Sequence, residues 1–345
     1  MKFSDIYGHS EAKTVLKSAA DSGRIGHAYI FEGISGVGRL SCARAFAARL
    51  VCENPSGGDS CGGCKSCAMS AAGSHPDIRI ITNQLYDDTK KSTDILVDTV
   101  RQMKNEIYIK PYMAKRKVYI VPKADTMNLH AQNSLLKVLE EPPAYCTIIL
   151  IAENANLFLP TVLSRCVRVK FFALDAKTVA DYLTSHVEGM SADEAAIKAA
   201  MCGGSIGRAL ALSNDETADS LRNEVIRHIE SLADSRHKPI YETALFIKRS
   251  KTDIDFIMDI MQSFFRDLMD ICSAGTDARI VNTDKRRELD ALAAKIYTET
   301  PLCLLEIMIK YRDCLDKNIS LAAVAQCMSM EIWEAIHDRS YRCKI

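Results

Sequence analysis

The chain carries no net charge: 44 Lys and Arg balance 44 Asp and Glu over 345 residues. Without a global basic field there is no sequence-independent hold on nucleic acid, so any such contact must be local or shared with partner subunits. No apolar run approaches the roughly 20 residues of a membrane span, and no membrane contact is expected. Met1-Lys2-Phe3-Ser4-Asp5 lacks the apolar core of an export signal. The 13 cysteines, an odd number in a chain without that signal, predict a cytoplasmic protein with metal-bound or free thiols rather than disulfides. Internal repeats and extended low-complexity tracts are also missing. What remains is ordinary: 48% apolar residues, ample for a core, and 26% charged. The length predicts two or three domains.

A further absence lies inside a motif. Residues 33–40 read Gly33-Ile34-Ser35-Gly36-Val37-Gly38-Arg39-Leu40, against the phosphate-loop template G-x-x-x-x-G-K-[ST]. In that template the glycines let backbone N–H groups wrap phosphate oxygens, the Lys reaches the β/γ-phosphates, and the hydroxyl holds Mg²⁺. Gly33, Gly36 and Gly38 keep the frame, but Arg39 replaces the Lys and Leu40, which has no oxygen, replaces the hydroxyl. The loop amides and helix dipole leave Arg39 able to hold an anion. Hydrolysis of ATP with Mg²⁺ by this chain is not expected.

Around the loop, strand and helix signals alternate. An apolar strand at 28–32 runs into the glycines and a helix follows at 41–51, the context that raises a loop match above chance. Residues 1–27 read as a helical lead-in, with strands predicted at 77–82, 117–122 and 146–152. Helices are predicted at 94–106 and 128–141, the second stopped by Pro142-Pro143, and a polar loop at 83–93. This alternation predicts a parallel sheet flanked by helices. Beyond about residue 172 the strand signal fades: 175–213 reads as a small helical bundle and 215–345 as helical throughout. Phe246, Ile254, Ile257, Ile260, Met261, Phe264 and Leu268 recur at helical spacing, as do Leu302, Leu305, Ile309 and Leu315, and are expected to form bundle core.

Cys52-x8-Cys61-x2-Cys64-x2-Cys67 places four soft thiolates within 16 residues, with Gly57, Gly58, Gly62 and Gly63 permitting tight turns. Such a set can close a tetrahedron around Zn²⁺, one per chain, and a site filled by protein on all four sides is structural. Four free thiols is the plainer alternative. Ferredoxin clusters share C-x2-C-x2-C but place a fourth Cys before Pro on the far side, which is missing here.

The strand at 117–122 ends in Pro122 and Lys123, where a P-loop ATPase carries the acid that holds Mg²⁺. Asp125 lies three positions along and is expected to cap the next helix. Lys110, Lys115, Arg116 and Lys117 form a basic cluster around Pro111-Tyr112, read by default as a solvated loop rather than a phosphate or partner contact. His27 is expected to be a packed histidine, and no Ser/His/Asp or paired-carboxylate arrangement can be assembled.

The stretch Ala131-Gln132-Asn133-Ser134-Leu135-Leu136-Lys137-Val138-Leu139-Glu140-Glu141-Pro142-Pro143 resembles the signature of bacterial clamp-loader subunits. So do His27-Ala28-Tyr29-Ile30-Phe31-Glu32-Gly33, Leu163-Ser164-Arg165-Cys166 and the four-cysteine insertion after the loop helix. The resemblance covers roughly 1–215 in detail. It implies an α/β AAA+ P-loop module at 1–172 with the inserted zinc module at 52–67, a helical lid at 173–214 and an all-helical collar at 215–345. It also implies membership of a five-subunit ring with gamma/tau and delta subunits, which opens the sliding clamp and places it on primer-template DNA for DNA polymerase III.

Departures from the family pattern select the role. Hydrolysing subunits carry Lys-Thr in the loop, an Asp-Glu pair after the third strand and Arg in a lid motif G-S-x-R. Here the lid reads Gly204-Ser205-Ile206-Gly207, with Arg208 one residue late, about 100° further round a helix. This is similar to the non-hydrolysing member of the ring. The resemblance gives Arg165 an active role, as an arginine finger reaching in trans to the γ-phosphate bound next door; the alternative is an ion pair within its own domain. Cys166 is expected to pack rather than react. Two rival readings stay open: a hydrolysing gamma/tau-type subunit whose loop tolerates Arg39, and a zinc-stabilised nucleic-acid-binding protein that borrows the fold. On the favoured reading the chain has no ATPase of its own, though it belongs to a DNA-directed DNA polymerase holoenzyme.

Overall fold

The computed structural model describes residues 2–85, 95–214, 216–234, 236–278, 280–317 and 319–341. Residues 86–93 of the expected loop lie outside the described residues, and its start, Asn83–Leu85, is a 3-10 turn. The chain divides into two compact units, Met1–Thr178 with Ser205–Gly207, and Val179–Gly204 with Arg208–Ile345.

The first unit runs α1 (Ser10–Asp21), β1 (Ala28–Glu32), α2 (Arg39–Val51), α3 (Lys65–Ala71), β2 (Ile78–Ile80), α4 (Val97–Ile107) and β3 (Lys117–Val121). It continues with α5 (Leu129–Glu140), β4 (Cys146–Ala152), α6 (Pro160–Leu163) and β5 (Val167–Lys170), and α7 (Ala176–His186) begins at its end. The sheet order is β2-β3-β4-β1-β5, and every pairing is parallel. Successive residues of a strand face opposite sides. Tyr29 and Phe31 of β1, with Val118 and Ile120 of β3, therefore pack on α2 through Cys42, Ala43 and Phe46. Ala28 and Ile30, with Tyr119 and Val121, pack on α4 and α5 through Met103, Ile107, Leu135 and Val138. Central strands covered on both faces read as continuous apolar runs, which is why β1, β3 and β4 are visible in the sequence.

β5 is not visible in this way. Only Val169 of its four residues is buried, and its place comes from pairing with β1, Tyr29 opposite Val167 and Glu32 opposite Lys170. Two local expectations also shift. Asn128, not Asp125, caps α5, its side chain accepting from Ala131 N. Asp77 stands just outside β2, and its carboxylate accepts from the N–H groups of Tyr112, Met113 and Ala114 at 2.6, 2.9 and 2.8 Å.

Apart from the residues at its junctions, the second unit is built from α8 (Ala192–Met201), α9 (Ile206–Asn214), α10 (Glu216–Leu232), α11 (Lys238–Arg249) and α12 (Ile254–Ala274). α13 (Arg286–Ala293), α14 (Thr300–Asp316) and α15 (Leu321–His337) complete it. Ile257, Ile260, Met261, Phe264 and Leu268 lie in its core as the spacing predicts. On α14, however, Leu302 and Ile309 are 55% and 64% exposed, while Leu304, Ile307, Met308 and Tyr311 are buried. Apolar residues cover more than one face of α14, so periodicity alone cannot say which face meets the core. Among the described residues, no helix is long and apolar enough to cross a membrane.

Burial alone would raise the Asp77 carboxyl, but the three amide donors outweigh it and hold it below the usual carboxylate range. Its contribution to stability is therefore complete above the unfolded carboxyl pKa of about 3.9 and is lost as pH falls through the lower folded value. Asp77→Asn should cost about 1–3 kcal/mol at neutral pH. Urea unfolding checks this; an unchanged midpoint would remove Asp77 as the anchor of that loop.

Candidate functional site

β1 delivers the chain to Gly33, whose N–H donates to the Ala152 carbonyl at the end of β4, 3.2 Å away. A side chain at Gly33 would collide with the Phe171 carbonyl, so the loop can only turn here on glycine. Gly36 and Gly38 adopt φ of +71° and +108°, and α2 starts at Arg39. The glycine frame therefore has the strand–loop–helix setting that the motif requires.

Arg39 is only 7% exposed. Its Nη1 donates to the Ala152 carbonyl and its Nη2 lies 3.6 Å from Glu153 Oε1. Burial pushes the guanidinium pKa down, and the carboxylates of Glu153 and Asp125 oppose that. The charge at the lysine position is thus engaged inside its own fold. Leu40 packs against the apolar cluster between α2 and the sheet. The Gly36 carbonyl accepts from Gly207 N at 2.9 Å, and a Cβ on Gly207 would lie 2.8 Å from Gly36 Cα. His9 Nε2, 2.8 Å from the Val37 carbonyl, donates to the same loop. Burial lowers the His9 pKa, the carbonyl partly offsetting it.

At the end of β3, Asp125 Oδ2 accepts from the N–H groups of Glu153 and Asn154 at 2.7 and 3.2 Å, which leaves it occupied as a loop anchor. Within the second unit, Arg208 is held by Asp259 at 2.5 Å and Asp255 at 3.9 Å, and Asp259 also accepts from Arg312 at 2.6 Å. Burial pushes the Asp259 carboxyl up, with both guanidiniums opposing.

The four cysteines converge. All four sulfur atoms lie within 4.8 Å of one another, with Cys52–Cys64, Cys61–Cys67 and Cys52–Cys67 at 4.0, 3.8 and 3.6 Å. A tetrahedron with metal–sulfur bonds of about 2.3 Å has edges of about 3.8 Å. Cys52 Sγ accepts from Cys61 N and Cys64 Sγ from Cys67 N, so the sulfurs sit in a cage of backbone amides. Amides of Gly63 and Cys64 draw the Cys61 thiol down to about 6. Asp59 ties the insertion to the N-terminus by accepting from Phe3 N and Ser4 N at 2.9 and 3.1 Å. The cluster can hold a metal ion.

Arg165 follows α6 in a turn before β5 and keeps 34% of its side chain exposed. Its Nη2 is 3.0 Å from Glu140 Oε1, and its Nη1 donates to the Thr161 carbonyl at 2.9 Å. Burial pushes the neighbouring Cys166 thiol up to about 12, leaving no thiolate for nucleophilic work. His27 is half-buried. The basic cluster splits: Lys110 and Lys115 are exposed, Arg116 is half-buried, and Lys117 is buried with Nζ donating to the Glu106 carbonyl. Sequence reasoning missed His9 and Asp77 and the contact of Gly207 with Gly36, since their partners are too distant in the chain to leave a local signal.

Comparison with known proteins gives two family matches. The model described as "DNA polymerase III, delta subunit" matches residues 8–175, and "DNA polymerase III, delta subunit, C terminal" matches residues 216–323. The DNA polymerase III subunit delta' of Pseudomonas aeruginosa is 37% identical over 142 residues, which cover 41% of this chain and 42% of that protein. The delta' subunit of Bacillus subtilis is 26% identical over 93% of this chain and 94% of its own. The tau/gamma subunit of Haemophilus influenzae is 30% identical over 68% of this chain and 34% of its own. The chain thus spans about two fifths of the Pseudomonas relative and about a third of the Haemophilus one. Among solved structures, a gamma subunit-related protein of Thermotoga maritima aligns over 92% of this chain and 99% of its own, with TM-score 0.38 and 16% identity.

Replacing Arg39 by Ala leaves the Ala152 carbonyl with one donor fewer and Glu153 without its cation. A loss of about 1–3 kcal/mol in unfolding free energy is expected, and an unchanged thermal midpoint would show that the guanidinium is not engaged as described.

Proposed function

The chain belongs to the DNA polymerase III delta-subunit family, and on that premise we propose that it acts as the delta-prime-type subunit of a clamp loader. In this role it is a scaffold that helps load the sliding clamp onto primed DNA without hydrolysing ATP itself. The observation that carries the proposal is the state of the phosphate loop. Arg39 is directed to Ala152 and Glu153 instead of an incoming phosphate, and Leu40 offers Mg²⁺ no oxygen. Asp125 anchors backbone amides, and Arg208 is engaged by Asp259. Each group that could replace a missing nucleotide contact already has a protein partner. Fold alone would not support this role; the replaced positions are what favour it.

The proposed division is a module at 1–172, a lid at 173–214 and a collar at 215–345 that joins gamma/tau and delta subunits in a five-membered ring. Such an assembly works on cytoplasmic DNA. Cys52, Cys61, Cys64 and Cys67 would hold one structural Zn²⁺, with sulfur spacings that suit the ion and no position left open for substrate. Arg165 would act on the γ-phosphate of the neighbouring subunit. A half-exposed ion pair such as that with Glu140 is worth roughly 0–1 kcal/mol, so exchanging it for a phosphate is inexpensive. A planar guanidinium can then neutralise charge developing on the phosphoryl oxygens.

Three measurements test these assignments. The isolated chain should release no phosphate from ATP; turnover abolished by Arg39→Ala would favour the hydrolysing gamma/tau-type reading instead. Arg165→Ala should leave ring assembly intact and lower DNA-stimulated ATPase of the reconstituted complex. The loss should be far smaller than the roughly 10³–10⁵ of a finger in small GTPases, because several sites contribute. Unchanged turnover in a correctly assembled ring would falsify the finger. Protein prepared under reducing conditions should carry about one zinc per chain, and Cys64→Ser should reduce both zinc content and thermal stability.

A further inference from the structure

We propose that the cavity between α2, α3 and β2 is a binding site for a mononucleotide, held by its phosphate and separate from the glycine loop. The cavity measures about 620 Å³, within the range of small-molecule sites and far more than a lone phosphate ion needs. Its floor is apolar: Ala48 of α2 is buried, and Ile78 and Ile80 of β2 are half-buried. Ser70 near the end of α3 and His75 in the loop before β2 line the same space. Ser70 Oγ and His75 Nε2 are both buried, and neither has a hydrogen-bond partner among the described residues. A helical serine can donate to a carbonyl one turn back, and a buried polar atom without a partner is costly. Two such atoms at one cavity mark a place for the acceptor oxygens of a ligand.

The donors select an anion. His75 is 3% exposed, and its Nδ1 accepts from Asp77 N at 3.1 Å, so the neutral ring carries its proton on Nε2. Burial favours that neutral ring, against the pull of the nearby Asp77 carboxylate. Exposed Arg44 adds a guanidinium at the rim. Arg79 also lines the cavity but is balanced by Glu106 Oε2 at 3.6 Å, whereas no described carboxylate pairs with Arg44. Among the described residues no acid lines the cavity. A phosphoryl group offers three oxygens to guanidinium, hydroxyl and imidazole donors, where a carboxylate offers two. The opposite wall selects the body of the ligand. β2 is an edge strand; Val118 N donates to the Asp77 carbonyl and Ile81 N to the Ile120 carbonyl. The N–H and C=O of Ile80, one residue out of step, therefore turn toward the open edge. A flat ring with donors and acceptors along its rim suits an apolar floor beside such an edge, and a nucleobase has both. Arg44 stands roughly 7 Å along α2 from Arg39, at 1.5 Å per residue, which keeps the site apart from the glycine loop.

Calorimetric titration of the full chain with AMP, GMP, CMP and UMP, without Mg²⁺, tests the site. At least one nucleotide should bind with a Kd on the order of 100 μM or tighter. Its nucleoside and inorganic phosphate should each bind about tenfold more weakly or worse. Arg44→Glu should cost about tenfold or more in affinity and Ser70→Ala about threefold or more. Both variants should melt like the parent, since Arg44 is exposed and Ser70 Oγ has no partner to lose. A chain that binds none of the nucleotides, that binds nucleoside or phosphate as tightly, or whose two variants bind like the parent overturns the site. Binding that Arg39→Ala removes and Arg44→Glu keeps also overturns it, assigning the nucleotide to the glycine loop. The clamp-loader reading stands under each outcome, because the site does not rest on it.

Discussion

The parallel pairing of β1 with β4 is the constraint on which the rest depends. Its register sets Glu32 beside Ala152, so the residues that follow both strands emerge together at the carboxyl edge of the sheet. Ala152 receives the Gly33 amide and the Arg39 guanidinium; Asp125 receives the amides of Glu153 and Asn154. Glu32 accepts from Ala155 N and pairs with Arg168 of β5. Ligands of open α/β sheets bind in the crevice outside this edge. In this chain protein groups already meet there.

The same logic separates what is held from what is presented. Leaving a buried donor or acceptor unmade is costly, and carboxylates satisfy several backbone amides here. Asp77, Asp125 and Asp59 each accept from at least two backbone N–H groups, and each pins a loop distant in sequence. The groups left at the surface are of another kind. Arg165 retains a third of its side chain in solvent, and Tyr112 almost all of its ring.

Much of the architecture was legible because local spacing reports local structure. Continuous apolar runs marked β1, β3 and β4; glycine spacing marked the loop; Asn128 and Pro142 bracketed α5. β5 escaped because an edge strand with one buried residue has no apolar signature. The exposed Leu302 and Ile309 were misread as core because a helix apolar on several faces does not declare which one is covered. The four cysteines were read as a cluster from spacing alone, since a short insertion with glycine turns can hardly keep them apart.

By itself, the amino-acid order determined which residues stand at the telling positions: Arg39 and Leu40 after the glycines, Pro122 and Lys123 directly after β3, and Gly207 ahead of Arg208. Those are facts of identity at positions fixed by covalent neighbours. Only the tertiary structure decided where the remaining charges went. Arg39 meets a carbonyl 113 residues away, and Asp77 meets amides 35 to 37 residues on. Such partners are chosen by strand register and helix packing, which bring together groups that no window along the chain contains.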